Sequence, residues 1–348
     1  GLLRTGVAPD HVKIKGLQSY FERFLASPSV SFYSNVEFGK DIMYSDVKKY
    51  YDGIFICTGS ATDNLHDKLD YTHPLNCGSL PVVSWYNGHP FDKNKFDPTL
   101  LKHTVGIIGL GNVALDIARI LLKPIDQLTQ TEMPEIALNN LSEKNISDVH
   151  IFVRRGPAQA KCTPKELAEI VELENISCHL HDFFLSDIDQ EEALASNRVK
   201  KNIDVFNSIG SKPKNKKKTL HFHFFSKLNK CTYNPTDCEL LFNKTTLSGN
   251  AHKQRLIETD KTYSLRTNFL ISSIGYRGSK LNEVPFNNKT YTIANNQGYI
   301  SDNLFTAGWI KRGPTGVVGT NKKDACETVE SFFNYHESNP KKIKQSLI

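Results

Sequence analysis

The feature that most constrains the fold is a glycine-rich turn between a strand-like segment and a helix-like segment. Residues 104–108 predict a buried strand, and residues 113–122 predict a helix that stops before Pro124. In such a βα unit, glycines form the tight turn and admit a pyrophosphate, which the N-terminus of the helix binds. The sequence therefore predicts a dinucleotide-binding unit of a parallel α/β protein. Its contact residues would be Gly109, Leu110, Gly111, Asn112, Val113 and Ala114.

The next predicted strand, residues 148–153, ends at two arginines instead of the acid that is typical of NAD-binding units. An acid would repel a 2′-phosphate, whereas Arg154 and Arg155 can hold it through charge-assisted hydrogen bonds. The spacing from Gly111 exceeds the usual ~20 residues, which we attribute to an insertion at 125–147. An ordinary surface pair is the alternative, but the position at a strand end favours NADPH over NADH.

The rest of the chain alternates strand-like and helix-like segments, which predicts a parallel sheet. Its 348 residues are enough for two domains with separate cores. Short strands are expected near residues 30–33 and 36–38, and residues 60–100 are expected to be a connector. Residues 186–262 are rich in charge, Asn and Lys, and we expect them to be the least ordered part.

Composition excludes several classes of protein. No apolar run approaches the ~20 residues of a membrane-spanning helix, and none of the seven cysteines forms a C-x-x-C pair. A dithiol reductase is thereby excluded, a disulfide framework or zinc site is disfavoured, and no metal site is predicted. The net charge of +6 suits an acidic partner, although the basic run at 212–218 is most simply a solvated loop.

A second glycine-rich segment, residues 308–320, precedes a predicted helix from Gly316 to Phe333. Such a turn can direct backbone N–H groups at the pyrimidine edge of a flavin, which the helix dipole would stabilise in its reduced form. Trp309 could cover the flavin ring. A plain capped helix and a core tryptophan are the alternatives, and the chemistry of the segment does not reject them.

These segments together resemble the adrenodoxin reductase family, the mitochondrial-type ferredoxin–NADP⁺ reductases. The matching stretches are GLLRTGVAPDH at 1–11, SWYNG at 84–88, GLGNVALDIAR at 109–119, VRRGP at 153–157, SSIGY at 272–276 and GWIKRGPTGVV at 308–318. The resemblance runs to about residue 330 and fades between 186 and 262. It implies an α/β fold with two Rossmann-like domains of the flavin/nicotinamide reductase type. The implied NADP domain, 101–300, is inserted into an FAD domain formed by 1–100 and 301–348.

The resemblance also implies roles for particular residues. The FAD contacts would be Leu2, Phe38, Trp309, Gly316, Val317 and Val318. The NADPH contacts would be Leu110, Gly111, Asn112, Val113, Arg154, Arg155, Glu166 and Gly316. His11 and Glu166 would act catalytically near the nicotinamide and flavin, in proton handling and ring placement. A histidine suits this role because it titrates near neutrality, although Glu166 is also compatible with a solvated helix position.

The implied enzyme is an NADPH-dependent oxidoreductase that passes electrons through FAD to a small acidic [2Fe–2S] ferredoxin in mitochondria. Arg198, Lys200 and Lys201 would contribute to the ferredoxin-docking surface. Family members carry their own flavin fingerprint upstream of the position of Gly1. We therefore expect this chain to be truncated and to bind FAD weakly, or not at all, without that segment.

Three alternatives stay open. A relative of the glutamate synthase small subunit would carry Cys-rich cluster-binding segments, which this sequence lacks. A non-catalytic fragment would bind NADPH without flavin-dependent electron transfer. Nucleic-acid binding through residues 212–218 is the weakest of the three, and it would show a strong salt dependence.

Overall fold

The computed structural model describes residues 2–90, 95–316 and 318–339. The strands are, in chain order, β1 Ile54–Ile56, β2 Thr62–Asp63, β3 Asn76–Gly78, β4 Thr104–Ile108, β5 Asp148–Phe152, β6 Ile176–His181, β7 Lys218–His223, β8 Ser226–Tyr233, β9 Cys238–Ser248, β10 Arg255–Thr267, β11 Phe269–Ser272, β12 Tyr276–Arg277, β13 Phe286–Asn287, β14 Thr292–Ile293, β15 Tyr299–Ser301 and β16 Leu304–Thr306. The α-helices are α1 Leu2–Thr5, α2 Val12–Lys15, α3 Gln18–Leu25, α4 Tyr44–Val47, α5 Ser79–Tyr86, α6 Asn112–Leu122, α7 Ile125–Leu128, α8 Glu135–Ser142, α9 Pro164–Val171, α10 Asp187–Ala195, α11 Asn197–Ile209, α12 Trp309–Arg312 and α13 Val318–Ser338.

These elements form two compact units. Of the described residues, the first unit holds those up to Arg23 and those from Leu65 to Ile274, and the second holds the remainder. Most of the first unit is therefore inserted between the two parts of the second. The bounds differ from the expected ranges 1–100, 101–300 and 301–348, because β3 pairs with β11 and α5 packs on α6 in the first unit. Which cofactor each unit binds stays a prediction.

The first unit is built on a six-stranded sheet in the order β3-β11-β4-β5-β7-β6, in which every pair is parallel. One face of the sheet is covered by helices that include α6, α9 and α11, and its buried residues belong to a large apolar core. On the other face, Ile108, Phe152 and Leu270 join the apolar cluster of the antiparallel sheet β8–β10. Both faces of the strands are covered, as is typical of parallel sheets.

The expectation that residues 186–262 are poorly ordered was wrong. They form helices α10 and α11 and strands β7 to β9, and they include the start of β10. Ser186 and Ser196 cap the two helices through their side chains. A helix needs only one apolar stripe, so its overall composition can stay polar. On α11 the buried stripe consists of Val199, Ile203, Phe206 and Ile209.

Two further local expectations were also wrong. Residues 30–33 and 36–38 form no strand within the described chain, and only Phe38 makes an isolated bridge, to Ile42. Phe32 is 68% exposed, so its β-favouring side chain lacks the packing that makes such residues strand formers. Residues 60–100 are more than a connector, because they contain β2, β3 and the largely buried helix α5.

The second unit has a smaller sheet in which β1 and β16 are parallel and β15 is antiparallel to β16. Its apolar cluster includes Tyr44, Ile56, Leu304 and Ile310. Across both units, no helix within the described ranges has both the length and the apolar character that a bilayer crossing requires.

Candidate functional site

The glycine turn lies where the sequence predicted it, between β4 and α6. Gly109 adopts φ +108°, and a Cβ there would lie 2.3 Å from the backbone oxygen of Ser273. A side chain is therefore excluded both by the left-handed backbone and by contact with the neighbouring strand. Its N–H donates to the carbonyl of Phe152 at 2.9 Å, which fixes the turn against β5.

Gly111 shows the opposite situation. Its φ is −114°, which any residue can adopt, and an added Cβ would meet no atom within 4 Å. The fold of the unit thus does not explain the glycine. The open space lies at the N-cap of the eleven-residue helix α6, whose first N–H groups lack helical partners. An anion can approach the backbone closely at this position.

Arg154 and Arg155 follow β5, which pairs in parallel with β4, so they lie at the same carboxyl edge of the sheet as the glycine turn. Arg154 is exposed and Arg155 half-buried. Their backbone is fixed, because the carbonyl of Arg154 accepts from Thr245 Oγ1 at 2.8 Å and that of Arg155 from Phe225 N–H at 3.1 Å. Neither guanidinium forms an ion pair in the part of the chain that the structure describes. Both are therefore available to a phosphate.

The other predicted turn residues connect α6 with its surroundings. The Thr163 N–H donates to Asn112 Oδ1 at 2.7 Å, and Thr163 is itself the N-cap of α9. Leu110 accepts a backbone hydrogen bond from Lys161 at 3.3 Å. Ala114 is fully buried and Val113 is partly buried. The small residue at 114 allows the helix and the strand to pack closely.

A buried cluster of charges joins α6, α9 and the loop before α2, and its centre is Arg119, which is 2% exposed. The Arg119 guanidinium lies 2.8 Å from Asp10 Oδ2 and 2.8 Å from Asp116 Oδ1. Lys123 Nζ is 2.6 Å from Asp10 Oδ2. Burial raises the pKa of the Asp10 carboxyl, but hydrogen bonds from Arg119 and Lys123 hold it well below its ordinary value.

His11 and Glu166, predicted to act together, do lie together in this cluster. His11 Nε2 is 3.1 Å from Glu166 Oε2 and 3.1 Å from Asp116 Oδ1. Burial lowers the pKa of His11, but hydrogen bonds to the two carboxylates raise it to about 10. The Arg119 guanidinium, 2.7 Å from the same nitrogen, opposes this rise, and the carboxylates outweigh it. His11 thus holds its proton at neutral pH, unlike the freely titrating histidine that the sequence suggested.

The glycine-rich segment of the second unit contains the short helix α12, which has a glycine at each end. Gly308 and Gly313 have φ +80° and +84°, and a Cβ at either would meet nothing within 4 Å. Trp309 Nε1 is buried without a hydrogen-bond partner in the described ranges. Open backbone beside an unpaired buried donor fits a polar, planar ligand such as a flavin.

The remaining predicted FAD contacts are distributed as follows. Gly316 has φ +80° and stands two residues before α13 begins at Val318. Phe38 is partly buried against the apolar cluster of the second unit. Val317 lies outside the described residues. Leu2 is in α1 and Val318 begins α13, and the side chains of these two are likewise outside the described part.

The residues predicted for partner docking share helix α11. Arg198, Lys200 and Lys201 are all exposed. Arg198 Nη1 donates to the carbonyl of Ala160 at 2.5 Å, so its guanidinium also holds the segment before α9. The two lysines form no ion pair with any residue that the structure describes.

Comparison with known proteins decides the family. No protein-family model matches the chain. It is 34% identical over 338 residues to the NADPH-ferredoxin reductase FprA of Mycobacterium tuberculosis, covering 96% of this chain and 74% of FprA. It is 30% identical over 343 residues to the mitochondrial NADPH:adrenodoxin oxidoreductase of Homo sapiens, covering 94% of this chain and 70% of that protein. The chain belongs to the NADPH-dependent ferredoxin and adrenodoxin reductase family.

Solved structures of the family agree. The structure of M. tuberculosis FprA in complex with NADPH has a TM-score of 0.89 and 31% identity, over 98% of this chain and 76% of that one. A second FprA structure, the His57Gln mutant, has a TM-score of 0.90 and 32% identity, over 99% and 78%. The predicted family, the oxidoreductase class and the two-domain α/β fold are thereby confirmed.

Sequence reasoning missed Asp10, Asp116 and Arg119 as a group. All three lie inside stretches that resemble the reductase family, yet they drew no separate interpretation. The signal was present in α6, where Asp116 and Arg119 stand three residues apart and are the only charged residues of the helix. Charges at such positions are buried, and buried charges require partners.

Proposed function

We propose that this chain is an NADPH-dependent reductase that passes electrons through FAD to a [2Fe–2S] ferredoxin. The observation that supports this most directly is the carboxyl edge of the six-stranded sheet in the first unit. At this edge Gly111 leaves open space that the fold does not require, and Arg154 and Arg155, which have no ionic partner among the described residues, follow the neighbouring strand. This combination suits a dinucleotide with an additional phosphate. The FprA structure with NADPH, which covers nearly all of this chain, supports the same ligand.

Each residue has a physical task in binding NADPH. The N-terminus of α6, reached past Gly111, offers N–H groups and a partial positive charge to the pyrophosphate. Arg154 and Arg155 neutralise the 2′-phosphate, which NADH lacks, and give the site its selectivity. Asn112 couples this turn to α9 through the Thr163 N–H, and α9 carries Glu166.

When bound, FAD supplies the conversion of a two-electron donor into single electrons. Trp309 and Gly316, with Leu2, Phe38, Val317 and Val318, would hold the flavin. His11 Nε2 lies between Asp116 Oδ1 and Glu166 Oε2, 3.1 Å from each. We assign His11 to proton handling and Glu166 to placing the nicotinamide. Arg119 acts through these two and is a positioning residue.

The partner surface is Arg198, Lys200 and Lys201, whose charge suits an acidic ferredoxin. Because Arg198 also binds the carbonyl of Ala160, its replacement would disturb the fold as well as docking. A mitochondrial location is supported by the curated relatives in Arabidopsis thaliana and Homo sapiens, which are mitochondrial enzymes, while FprA is a bacterial relative.

Nucleotide selectivity tests this function. Affinities for NADPH and NADH are measured by titration calorimetry for the wild type and for Arg154→Ala/Arg155→Ala. The matched control is Arg255→Ala/Arg266→Ala, which removes two exposed arginines of β10 in the same unit. Two charge-assisted hydrogen bonds at about 1.5–3 kcal/mol each predict at least ~100-fold weaker NADPH binding. NADH binding should not change.

Equal losses for both nucleotides in the Arg154/Arg155 variant would contradict this assignment, as would an unaltered preference for NADPH. A chain that binds NADPH selectively but never reduces an added ferredoxin would favour the non-catalytic alternative. That alternative has support of its own, since all the predicted NADPH contacts except Gly316 belong to the first unit.

A further inference from the structure

Five histidines share one face of the six-stranded sheet. They lie on three neighbouring strands, β5, β7 and β6. The parallel register places His150 beside His221, His179 also beside His221, and His181 beside His223. Because side chains alternate along a strand, residues two apart such as His221 and His223 point to the same side. The chain thus concentrates imidazoles on one surface, which the proposed reductase function does not use.

The imidazoles contact one another through their ring nitrogens. His150 Nδ1 is 2.9 Å from His223 Nε2, and His181 Nε2 is 3.0 Å from His221 Nδ1. In each contact one nitrogen donates an N–H and the other accepts, so at least the accepting ring of each pair is neutral. The remaining nitrogen of His221, Nε2, lies 3.4 Å from Asp148 Oδ1. A carboxylate of this kind orients a histidine.

We propose that His150, His221 and His223 bind a divalent transition-metal ion of the zinc, copper or nickel class, with a solvent molecule as the fourth ligand. Each of the three histidines offers a nitrogen within 4.8 Å of the others. Zinc–nitrogen bonds of ~2.0–2.1 Å in a tetrahedron place nitrogens roughly 3.4 Å apart. The nitrogens thus lie near the spacing of a zinc site, and binding requires the stacked rings of His150 and His221 to rearrange around the ion.

The cluster of imidazoles is accessible and chemically suited to such an ion. His150 and His221 are half-buried, so an ion can reach them. Neutral imidazole is also a preferred ligand of zinc, copper and nickel.

One nearby cation opposes the site. The Lys244 ammonium lowers the pKa of His181 and His223, and it would also repel a metal ion. It is paired with Asp182 and lies 3.9 Å from the centroid of the Tyr263 ring, which offsets part of its charge. The sequence had predicted no metal site, because that prediction considered only cysteine spacing. The alternation of His with apolar residues, HIF at 150–152 and HFH at 221–223, carries the signal.

Zinc binding to the full chain tests the proposal. Equilibrium dialysis against Zn²⁺ with metal analysis should give one ion per chain. His150→Gln/His221→Gln should weaken this binding at least tenfold. His103→Gln, at an exposed position before β4, is the matched control and should bind as the wild type does. NADPH affinity, measured in parallel, reports whether the first unit of each variant is folded.

A second readout needs no variant. Co²⁺ added to the wild-type chain should give the intense visible bands of a four-coordinate site with three nitrogen ligands. Absence of stoichiometric Zn²⁺ would overturn the proposal, and so would Zn²⁺ that remains equally tight in the double variant. A Co²⁺ spectrum that stays that of the hydrated ion would also overturn it and leave a purely hydrogen-bonded histidine stack.

Discussion

Replacement of Arg119 by Met should destabilise the first unit strongly. Arg119 is 2% exposed and lies between Asp10 and Asp116, each 2.8 Å away, with Glu166 Oε2 at 3.4 Å. Met preserves most of the apolar stem but removes the charge, so buried carboxylates lose their shared partner. Removing one member of a buried ion pair costs about 3–5 kcal/mol. Because Asp10 keeps Lys123 at 2.6 Å, we expect the lower end, about 3 kcal/mol.

Hydrogen exchange of the α6 amides measures this effect within the unit, without assuming that both units unfold together. Arg119→Lys keeps the charge but loses the planar double contact with Asp10, so its cost should be intermediate. Arg255→Met, at an exposed position of β10, is the control and should stay within about 0.5 kcal/mol of wild type. A loss below about 1 kcal/mol in Arg119→Met would refute the interpretation of the cluster as mutually dependent charges.

Three further predictions concern His11, the glycine turn and the docking residues of α11. The pKa of His11 is raised from 6.5 to about 10, so its contribution to the free energy of unfolding is complete below pH 6.5 and is lost as the pH rises toward 10. His11→Gln should abolish this dependence of stability on pH, as measured by denaturant titrations. Gly111→Ala should fold normally but bind NADPH at least ~10-fold more weakly, whereas Gly109→Ala should unfold the first unit, as melting curves and calorimetry would show. Lys200→Glu/Lys201→Glu should slow ferredoxin reduction at low salt, with the difference disappearing at high ionic strength, and equal slowing at all salt concentrations would contradict docking there.

The nucleotide-binding part of the fold was predictable from the sequence because its signals are local. Strand β4, the turn and helix α6 occupy consecutive residues, and their apolar period changes from strand to helix within the segment itself. The strand before Arg154 was predicted to within one residue for the same reason.

Features that depend on distant residues were not predictable. Gly111 faces open space and Gly109 faces a backbone carbonyl, and both surroundings are formed by residues that are distant in sequence. The sequence alone therefore does not show that the two glycines have different roles. The raised pKa of His11 requires Asp116 and Glu166, which are more than a hundred residues away. The ordered structure of residues 186–262 was not predicted because antiparallel strands such as β9 bury only alternate side chains. Such strands can therefore be rich in polar residues.

The central claim is that this chain moves electrons from NADPH to a flavin. The most direct measurement is anaerobic addition of NADPH to the purified chain supplied with excess FAD, following the visible absorbance of the flavin. We predict that NADPH bleaches the band and that NADH at the same concentration does so far more slowly. An unchanged absorbance with NADPH, or equal bleaching by both nucleotides, would contradict the account.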